Sequence, residues 1–250
     1  MSGMSLLPLG VGDAFSGRYY SSCLAVNADG AWLLIDCPHP IRKMMCEASV
    51  SAGVNLDIAQ VTAVVLTHLH ADHCSGMEGF GFFSRFTLGR RAILLAHPAV
   101  SSRLWDGHLA GGMELALQGL GVPSIKRTLD DFFDARPLAC EEEVSVGPFR
   151  LRCRLTNHTV PTAALRVEAA GRSLSYSADT AFDPDLIAWL ADANLIVHET
   201  HPGFLHTPYD QLATLPEALR ARMRLIHYPD HFDLDSSAIE PLRQGRYYNV

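Results

Sequence analysis

The chain has 250 residues, of which 48% are hydrophobic and 19% charged, so it can bury a large core without cross-links. Its formal net charge of −7 provides no general attraction for long nucleic acid. The six cysteines form no C-x-x-C pair, no signal-peptide pattern is present, and no apolar run reaches the roughly 20 residues of a membrane span. We therefore expect a globular, cytoplasmic protein with reduced thiols that has neither a membrane nor long nucleic acid as a partner.

The first third of the chain is predicted to contain strands joined by tight turns. Residues 21–26 and 31–36 are β-prone runs on either side of an Asn-Ala-Asp-Gly sequence, which is typical of hairpin turns. Residues 41–53 carry apolar side chains at helical spacing and predict a helix. Residues 61–67 and 92–96 are apolar runs that end abruptly in polar residues, which is the pattern of buried strands.

The remaining chain alternates between strands and helices. Residues 101–143 are irregular, with a glycine-interrupted helix predicted over 106–121, and we expect either an insertion or lid here or a plain surface connection. The later predictions are strands over 149–155, 163–168, 173–177, 195–197 and 224–226, and helices over 183–190 and 216–223. Two strand-rich halves, each with helices, predict two packed sheets covered by helices on the outside.

Four side chains that can bind a metal ion follow the strand predicted over 61–67. They are His68, His70, Asp72 and His73. In an extended segment, side chains repeat with period two, so the first three should project to one side, and the fourth should reach the same pocket after a turn. Imidazole and carboxylate are ligands that zinc, manganese and iron accept. Such a cluster beside a buried strand is hard to explain by packing, so it predicts a metal site.

This His-x-His-x-Asp-His sequence after a strand resembles the signature of the metallo-β-lactamase superfamily. Residues 9–13 and 33–37 also resemble early landmarks of that family, and the resemblance extends over most of the chain. It implies an α/β (α+β) fold, a four-layer αββα sandwich in one domain spanning residues 1–250, with the metal centre at one edge of the sheets. Dimers are common in the superfamily, which makes a homodimer an expectation here.

The resemblance also extends the ligand set to three positions at the ends of later predicted strands: His158, Asp179 and His227. It implies two divalent ions, with zinc the first expectation and manganese or iron the alternatives. One ion would be held by His68, His70 and His158, the other by Asp72, His73 and His227, with Asp179 bridging them. An alternative for Asp179 and Thr180 is a helix N-terminal turn, because both residue types cap helices.

Two such ions can share a hydroxide and activate it, which predicts a metal-dependent hydrolase in which Asp72 both binds metal and orients the nucleophile. His198-Glu199, after the strand over 195–197, resembles a segment of the ribonuclease Z and related phosphodiesterase branch, as does His206-Thr207. The resemblance implies that His198 contacts the phosphate or donates a proton and that Glu199 orients it. The alternative is that His198 and Glu199 merely cap a surface strand.

The substrate is expected to be small. The negative net charge and the lack of a glycine-rich basic arm argue against transfer RNA, and favour a cyclic nucleotide or short oligonucleotide. One rival function is hydrolysis of a lactone, thioester or β-lactam, which a position of His198 and Glu199 far from the metal ligands would favour. The other is a metal-stabilised binding or carrier protein without catalysis.

Overall fold

The computed structural model describes residues 3–116, 121–140 and 142–250. Over these ranges the strands, numbered β1 to β15 in chain order, are Met4–Gly10, Cys23–Ala28, Ala31–Ile35, Val61–Leu66, Ala92–Ala96, Leu115–Ala116, Ile125–Lys126, Phe133–Pro137, Val144–Val146, Phe149–Leu155, Ala163–Ala169, Arg172–Tyr176, Leu195–Glu199, Met223–Ile226 and Tyr248–Asn249. The α-helices, α1 to α8, are Ile41–Ala52, Ala71–Cys74, Met77–Phe82, Pro98–Leu104, Ala110–Met113, Pro184–Leu190, Tyr209–Ala213 and Glu217–Arg220. Short 3₁₀ turns occupy Ile58–Gln60 and Leu129–Asp131, and π-helical turns occupy Phe83–Thr87 and Trp105–Leu109.

Two mixed sheets form the centre of the protein. The first has the order β15-β1-β2-β3-β4-β5-β8 and the second the order β14-β13-β12-β11-β10-β9, while β6 and β7 form a separate ribbon. Strands β3, β4, β5 and β8 are parallel to one another, as are β12, β13 and β14. The other pairs within the two sheets are antiparallel.

Alternation along the strands sorts the apolar side chains into three layers of core. In β4, Ala63 and Val65 belong to the core between the two sheets, whereas Val64 and Leu66 belong to the core under α1 and α3. A third core lies between the outer face of the second sheet and α6. Because each sheet has one face against the other sheet and one against helices, the predicted four-layer αββα sandwich is confirmed.

Most of the predicted elements are present within one or two residues of their expected ends. The hairpin between β2 and β3 turns through Asp29 and Gly30, both with positive φ, as its turn sequence predicts. The strand predicted over 195–197 continues to Glu199. Strands β1, β6, β7, β8, β9 and β15 were not predicted; β15 and β9 are short edge strands whose two or three residues carry little pattern.

The helix predicted over 106–121 is present only in its first half. A π-helical turn over Trp105–Leu109 leads into a single helical turn over Ala110–Met113 and then into β6, and residues 117–120 lie outside the described part of the chain. Gly107, Gly111 and Gly112 lie within this helical stretch, although glycine disfavours a helix interior by about 1 kcal/mol relative to alanine. Farther along, β8 joins the first sheet beside β5. A lid role for the rest of residues 101–143 stays a prediction.

The strand directions bring several polar chain segments to one edge of the sandwich. The parallel strands β12, β13 and β14 end at the same edge of the second sheet, and β10 runs in their direction because it is antiparallel to β11. Ligand sites in open α/β sheets form beyond such carboxyl ends. Among the described residues, the helices are each too short or too polar to cross a bilayer.

Replacing Leu33 with alanine tests the core between the sheets. Leu33 is fully buried there, so the cavity and the lost apolar contact should lower the free energy of unfolding by about 2–5 kcal/mol in urea titrations. The matched variant Leu115→Ala removes a side chain that is 69% exposed and should change it by less than about 0.5 kcal/mol. Equal losses for the two variants would contradict this layer assignment.

Candidate metal centre

The motif residues reach the edge of the first sheet from two kinds of backbone. After β4, the chain stays extended only as far as His70, and it then turns into α2 at Ala71. The prediction that an extended segment carries Asp72 to the same side is therefore wrong, because Asp72 and His73 project from a helical turn. The turn is fixed against the end of β3: a Cβ at Gly76 would lie 2.6 Å from the Pro38 carbonyl oxygen, so only glycine fits there.

The first cluster contains His68, His70, His158 and Asp179, whose candidate ligand atoms all lie within 4.8 Å of one another. His70 Nδ1 lies 3.1 Å from His68 Nε2 and 3.3 Å from His158 Nε2. The carboxylate oxygen Asp179 Oδ2 is 3.7 Å from His68 Nε2 and 3.8 Å from His158 Nε2. Three imidazole nitrogens and a carboxylate therefore converge from three separate stretches of chain.

The second cluster contains Asp72, His73, Asp179 and His227. Asp72 Oδ2 lies 3.3 Å from the Nε2 atoms of both His73 and His227. Asp179 Oδ1 is 3.4 Å from His73 Nε2, and Asp179 Oδ2 is 3.5 Å from His227 Nε2. Asp179 thus belongs to both clusters. The alternative that it starts a helix is wrong, since the next helix begins at Pro184 with Asp183 as its cap.

Outer hydrogen bonds turn the imidazole rings toward the clusters. His73 Nδ1 donates to the buried Asp36 carboxylate at 2.8 Å. The Thr67 hydroxyl must donate to Asp36, because a carboxylate only accepts, so it accepts from His68 Nδ1 at 3.0 Å. His158 Nδ1 donates to the Leu205 carbonyl. In all three histidines Nδ1 is engaged outside the cluster and Nε2 faces it, the arrangement that metal-binding histidines use.

The contacts of Asp36 were not predicted from the sequence, where this residue was only part of a family landmark. Asp36 and two other residues that position the clusters, Ala178 and His227, have positive φ angles of 62°, 50° and 60°. Such conformations cost non-glycine residues of order 1 kcal/mol or more each and persist where the surrounding structure holds them. All three lie at strand ends beside the clusters, so the local strain is concentrated at this site.

The electrostatics differ between the clusters. Burial lowers the pKa of His68, His70 and His158, so these rings are neutral. Burial also opposes a charge on His73 and His227, but nearby carboxylates outweigh it: the pKa of His73 lies well above its ordinary value, and that of His227 is raised to about 9. Conversely, burial raises the pKa of Asp179, but the charges of His227 and His73 outweigh it and hold that pKa well below its ordinary value.

The residues present fit a pair of cations. In the first cluster, the Nε2 lone pairs of His68 and His158 face His70 Nδ1 and a carboxylate oxygen of Asp179, a set of donor atoms that suits a cation. In the second cluster, the buried atoms His73 Nε2 and Asp179 Oδ1 have no hydrogen-bond partner among the described residues, although they face each other. Buried polar atoms are normally paired, so such unpartnered atoms point to an ion. A set of nitrogen and oxygen donors suits zinc, manganese or iron.

The predicted pairing of His198 with the Glu199 carboxylate is wrong, and strand alternation explains why. In β13, Leu195 and Val197 face the core between the sheets, whereas Ile196 faces the helices. His198 therefore lies on the same face as Ile196, and Glu199 on the same face as Val197. His198 is 1% exposed, and its Nδ1 donates to the main-chain carbonyl of Glu199. Its role as a phosphate contact therefore has no support from its position.

Glu199 instead holds His206. The carboxylate oxygen Glu199 Oε1 accepts from His206 Nδ1 at 3.0 Å and from the main-chain N–H groups of Thr180 and Thr207. The His206 ring stacks on that of His227, with centroids 5.2 Å apart, and its side chain is 21% exposed. A carboxylate-held histidine thus lies beside both clusters and within reach of solvent. The signal for it was the His206-Thr207 sequence, to which no role was assigned.

A second carboxylate-held histidine lies at the rim. His201 Nε2 is 3.2 Å from the buried Asp13 carboxylate, and its ring centroid is 5.0 Å from that of His206. This contact joins the loop after β1 to the loop after β13, and neither residue was predicted to have this role. The pair fixes the outer side of His206, so the imidazole is enclosed between His201 and His227.

Comparison with solved structures shows the fold. The metallo-β-lactamase fold protein YhfI from Bacillus subtilis aligns with a TM-score of 0.74 at 15% identity, over 99% of both chains. Zinc-bound PqqB from Methylobacterium extorquens aligns at 0.73 and 16% identity, over 98% of this chain and 100% of that one. The short form of human tRNase Z aligns at 0.70 and 16% identity, over 98% of both. The predicted membership of the metallo-β-lactamase superfamily is confirmed at the level of fold.

Sequence comparison shows the family. The Anti-Pycsar protein Apyc1 of Saccharibacillus brassicae is 33% identical over 261 residues, which cover 99% of this chain and 100% of that protein. The protein of the same description from Paenibacillus harenae is 30% identical over 236 residues, covering 92% of each. The profile of the family described as Anti-Pycsar protein Apyc1 matches residues 4–248. The chain therefore belongs to the Apyc1 family of anti-Pycsar proteins.

Proposed function

We propose that the protein is a metal-dependent phosphodiesterase that hydrolyses a small phosphodiester, and specifically a cyclic nucleotide. The observation that carries this proposal is the position of His206, which Glu199 holds beside two ligand clusters that share Asp179. The family description supports the choice of substrate, because Pycsar uses cyclic nucleotides. Hydrolysis of that cyclic nucleotide would be the means by which the protein counteracts Pycsar.

Seven residues would hold the two divalent ions, in the arrangement of the two clusters: His68, His70 and His158 around one, Asp72, His73 and His227 around the other, and Asp179 shared by both. When bound, the ions supply positive charge that lowers the pKa of water and neutralises the phosphate. We propose zinc, in keeping with the zinc-bound PqqB relative of the same fold, with manganese or iron as alternatives.

The protein's own groups have separate tasks in hydrolysis. The Asp72 side chain is 10% exposed, more than any other side chain of the second cluster, so its carboxylate can orient the attacking water. When the bond from phosphorus to the ester oxygen breaks, that oxygen needs a proton. His206 can donate it from Nε2, because Nδ1 is committed to Glu199. Burial lowers the pKa of His206, so the free ring is neutral, and the anionic phosphate would have to favour protonation at Nε2 before that proton is donated.

A metal-loaded substrate screen tests the proposal against its rivals. The wild type should hydrolyse cyclic nucleotides faster than a generic phosphodiester, a lactone or a thioester. His68→Ala removes a first-cluster nitrogen and should abolish turnover together with stoichiometric metal, whereas His231→Ala, at an exposed histidine outside the clusters, should retain both. Turnover of carboxyl esters with none of phosphodiesters would establish the carbonyl hydrolase, and metal without any turnover would establish the binding protein.

Leaving-group dependence tests His206 as the proton donor. His206→Ala should lower kcat on a cyclic nucleotide by about 10²–10⁴-fold, because the ribose oxygen leaves poorly without a proton. The loss on bis(nitrophenyl) phosphate should be far smaller, since nitrophenolate leaves unprotonated. Glu199→Gln should show the same substrate dependence, and the double variant should lose no more than His206→Ala alone.

The matched control for this series is His198→Gln, at the neighbouring position of β13 but on the opposite face. Any effect it has on folding should lower turnover of the two substrates by the same factor. Equal losses on both substrates for His206→Ala would rule out proton donation by that residue.

Metal affinity should depend on pH in one cluster more than in the other. His73 and His227 carry protons at pH 7 in the metal-free protein, since the pKa of His227 is about 9 and that of His73 is also raised. An ion entering the second cluster must displace these protons. Its affinity should therefore increase about tenfold per pH unit for each proton displaced, until the pH reaches about 9. The neutral histidines of the first cluster should bind with little dependence above pH 7.

Zinc titrations with a competing chelator at several pH values measure both affinities, and calorimetry in buffers of different ionisation enthalpy counts the protons released. Two sites with the same flat pH dependence would contradict the charge assignment. Loss of the pH-dependent site in His227→Gln, with the other site kept, would identify which cluster releases protons.

A further inference from the structure

A cavity is lined by neighbours of two first-cluster histidines and has no part in the chemistry described so far. Its volume is about 220 Å³. One wall is Leu69, which lies between two cluster histidines, and another is Val160, which follows His158 by two residues. The opposite wall comes from α4 and the π-helical turn after it, through Val100, Arg103, Gly107 and His108. We call this space the base cavity.

The base cavity combines apolar walls with hydrogen-bond donors. Leu69, Val100 and Val160 supply aliphatic surface. Arg103 is exposed and has no ion pair or hydrogen bond through its side chain within residues 3–116, 121–140 and 142–250, so its guanidinium donors are free for a ligand. His108 Nε2 contacts the Cys74 thiol at 3.4 Å, which leaves Nδ1 toward other partners.

The size of the base cavity selects part of a substrate. Pockets for drug-sized molecules measure about 300–1,000 Å³, so about 220 Å³ takes one heterocycle rather than a whole nucleotide. The adjoining clusters, with their convergent histidines, are the place for the phosphate. Leu69 and Val160 each lie within two residues of a first-cluster histidine, which places these two walls within about 7 Å of chain from the cluster, the span between a base and its phosphate.

On the basis of the proposed function, we propose that the base cavity binds the heterocyclic base of the cyclic nucleotide and that Arg103 determines base specificity. Flat aliphatic walls suit the faces of a planar ring, and the free guanidinium can donate to carbonyl and ring-nitrogen acceptors on its edge. The cavity would therefore contribute to substrate binding and not to bond breaking.

The experiment compares a cyclic nucleotide with the same cyclic ribose phosphate lacking the base. Gly107→Leu fills the cavity at low risk to folding, because a Cβ there would meet only Arg103 atoms at an ordinary 3.9 Å. It should raise KM for the nucleotide about tenfold or more with kcat little changed, and leave kcat/KM for the abasic compound within about twofold. Arg103→Gln should raise KM for the nucleotide roughly tenfold and change the ranking of the bases.

Two matched controls lie outside the cavity. Gly111→Leu adds the same side chain where nothing lies within 4 Å, and Arg85→Gln removes an exposed arginine that does not line the cavity. Both should behave as the wild type. Wild-type protein that cleaves neither compound would overturn the proposed function, and this result precedes any variant.

The base assignment has its own contrary outcomes. Cleavage of both compounds by the wild type, with Gly107→Leu affecting them equally or not at all, would overturn the base cavity alone. A change of molecular mass in Gly107→Leu by light scattering would assign the cavity to a contact between subunits and would likewise overturn it.

Discussion

Asp179 is a buried carboxylate on which both ligand clusters depend. Its two oxygens lie within 3.8 Å of imidazole nitrogens from His68, His73, His158 and His227. Removing a carboxylate from water costs several kcal/mol, and the cost is offset only by nearby positive charge or hydrogen bonds. Protonated His73 and His227 provide that charge in the metal-free protein, and cations would replace their protons on binding. Because Asp179 belongs to both clusters, it fixes their positions relative to each other. Its burial as a carboxylate is favourable only with positive charge or hydrogen-bond donors nearby.

The fold meets this requirement by bringing strand ends together. Strands β4, β10, β12 and β14 each end just before a cluster residue, so the rigid sheets set the positions and the short segments after them set the directions. Alternation along β13 then divides neighbouring residues between faces: Glu199 reaches the site and His198 does not. A one-residue difference in strand register would exchange these two side chains. The pleat of a single strand thus decides which of these two neighbouring residues contacts His206.

The sequence was sufficient to predict the sandwich, because apolar strands that end in histidine or aspartate can be recognised from the residue pattern alone. It was insufficient for the end of the helical segment after β5, where local propensity is weak and the chain passes into β6 before the predicted end of the helix. Four candidate ligand residues were expected from a dense motif and three more from the resemblance to the metallo-β-lactamase superfamily, and the structure brings all seven together. The partner of Glu199 was missed because it lies seven residues away on a loop, and a sequence gives no distance across a loop. Asp36 was missed for a similar reason: its contact with His73 joins residues 37 positions apart.

Burial around the site also indicates where a substrate can approach. The side chains of His73, Asp179, His158 and His227 are at most 2% exposed, whereas Asp72 is 10% and His206 is 21% exposed. Under the proposed function, the deeper groups would hold charge, and the two more exposed groups would act on water and on a leaving oxygen. Attack and departure in phosphoryl transfer lie on opposite sides of phosphorus, roughly in line. A nucleophile near Asp72 and a proton donor at His206 would therefore require the phosphate to lie between them. This position of the phosphate follows from the exposure of the Asp72 and His206 side chains to solvent, and it does not depend on any single interatomic distance.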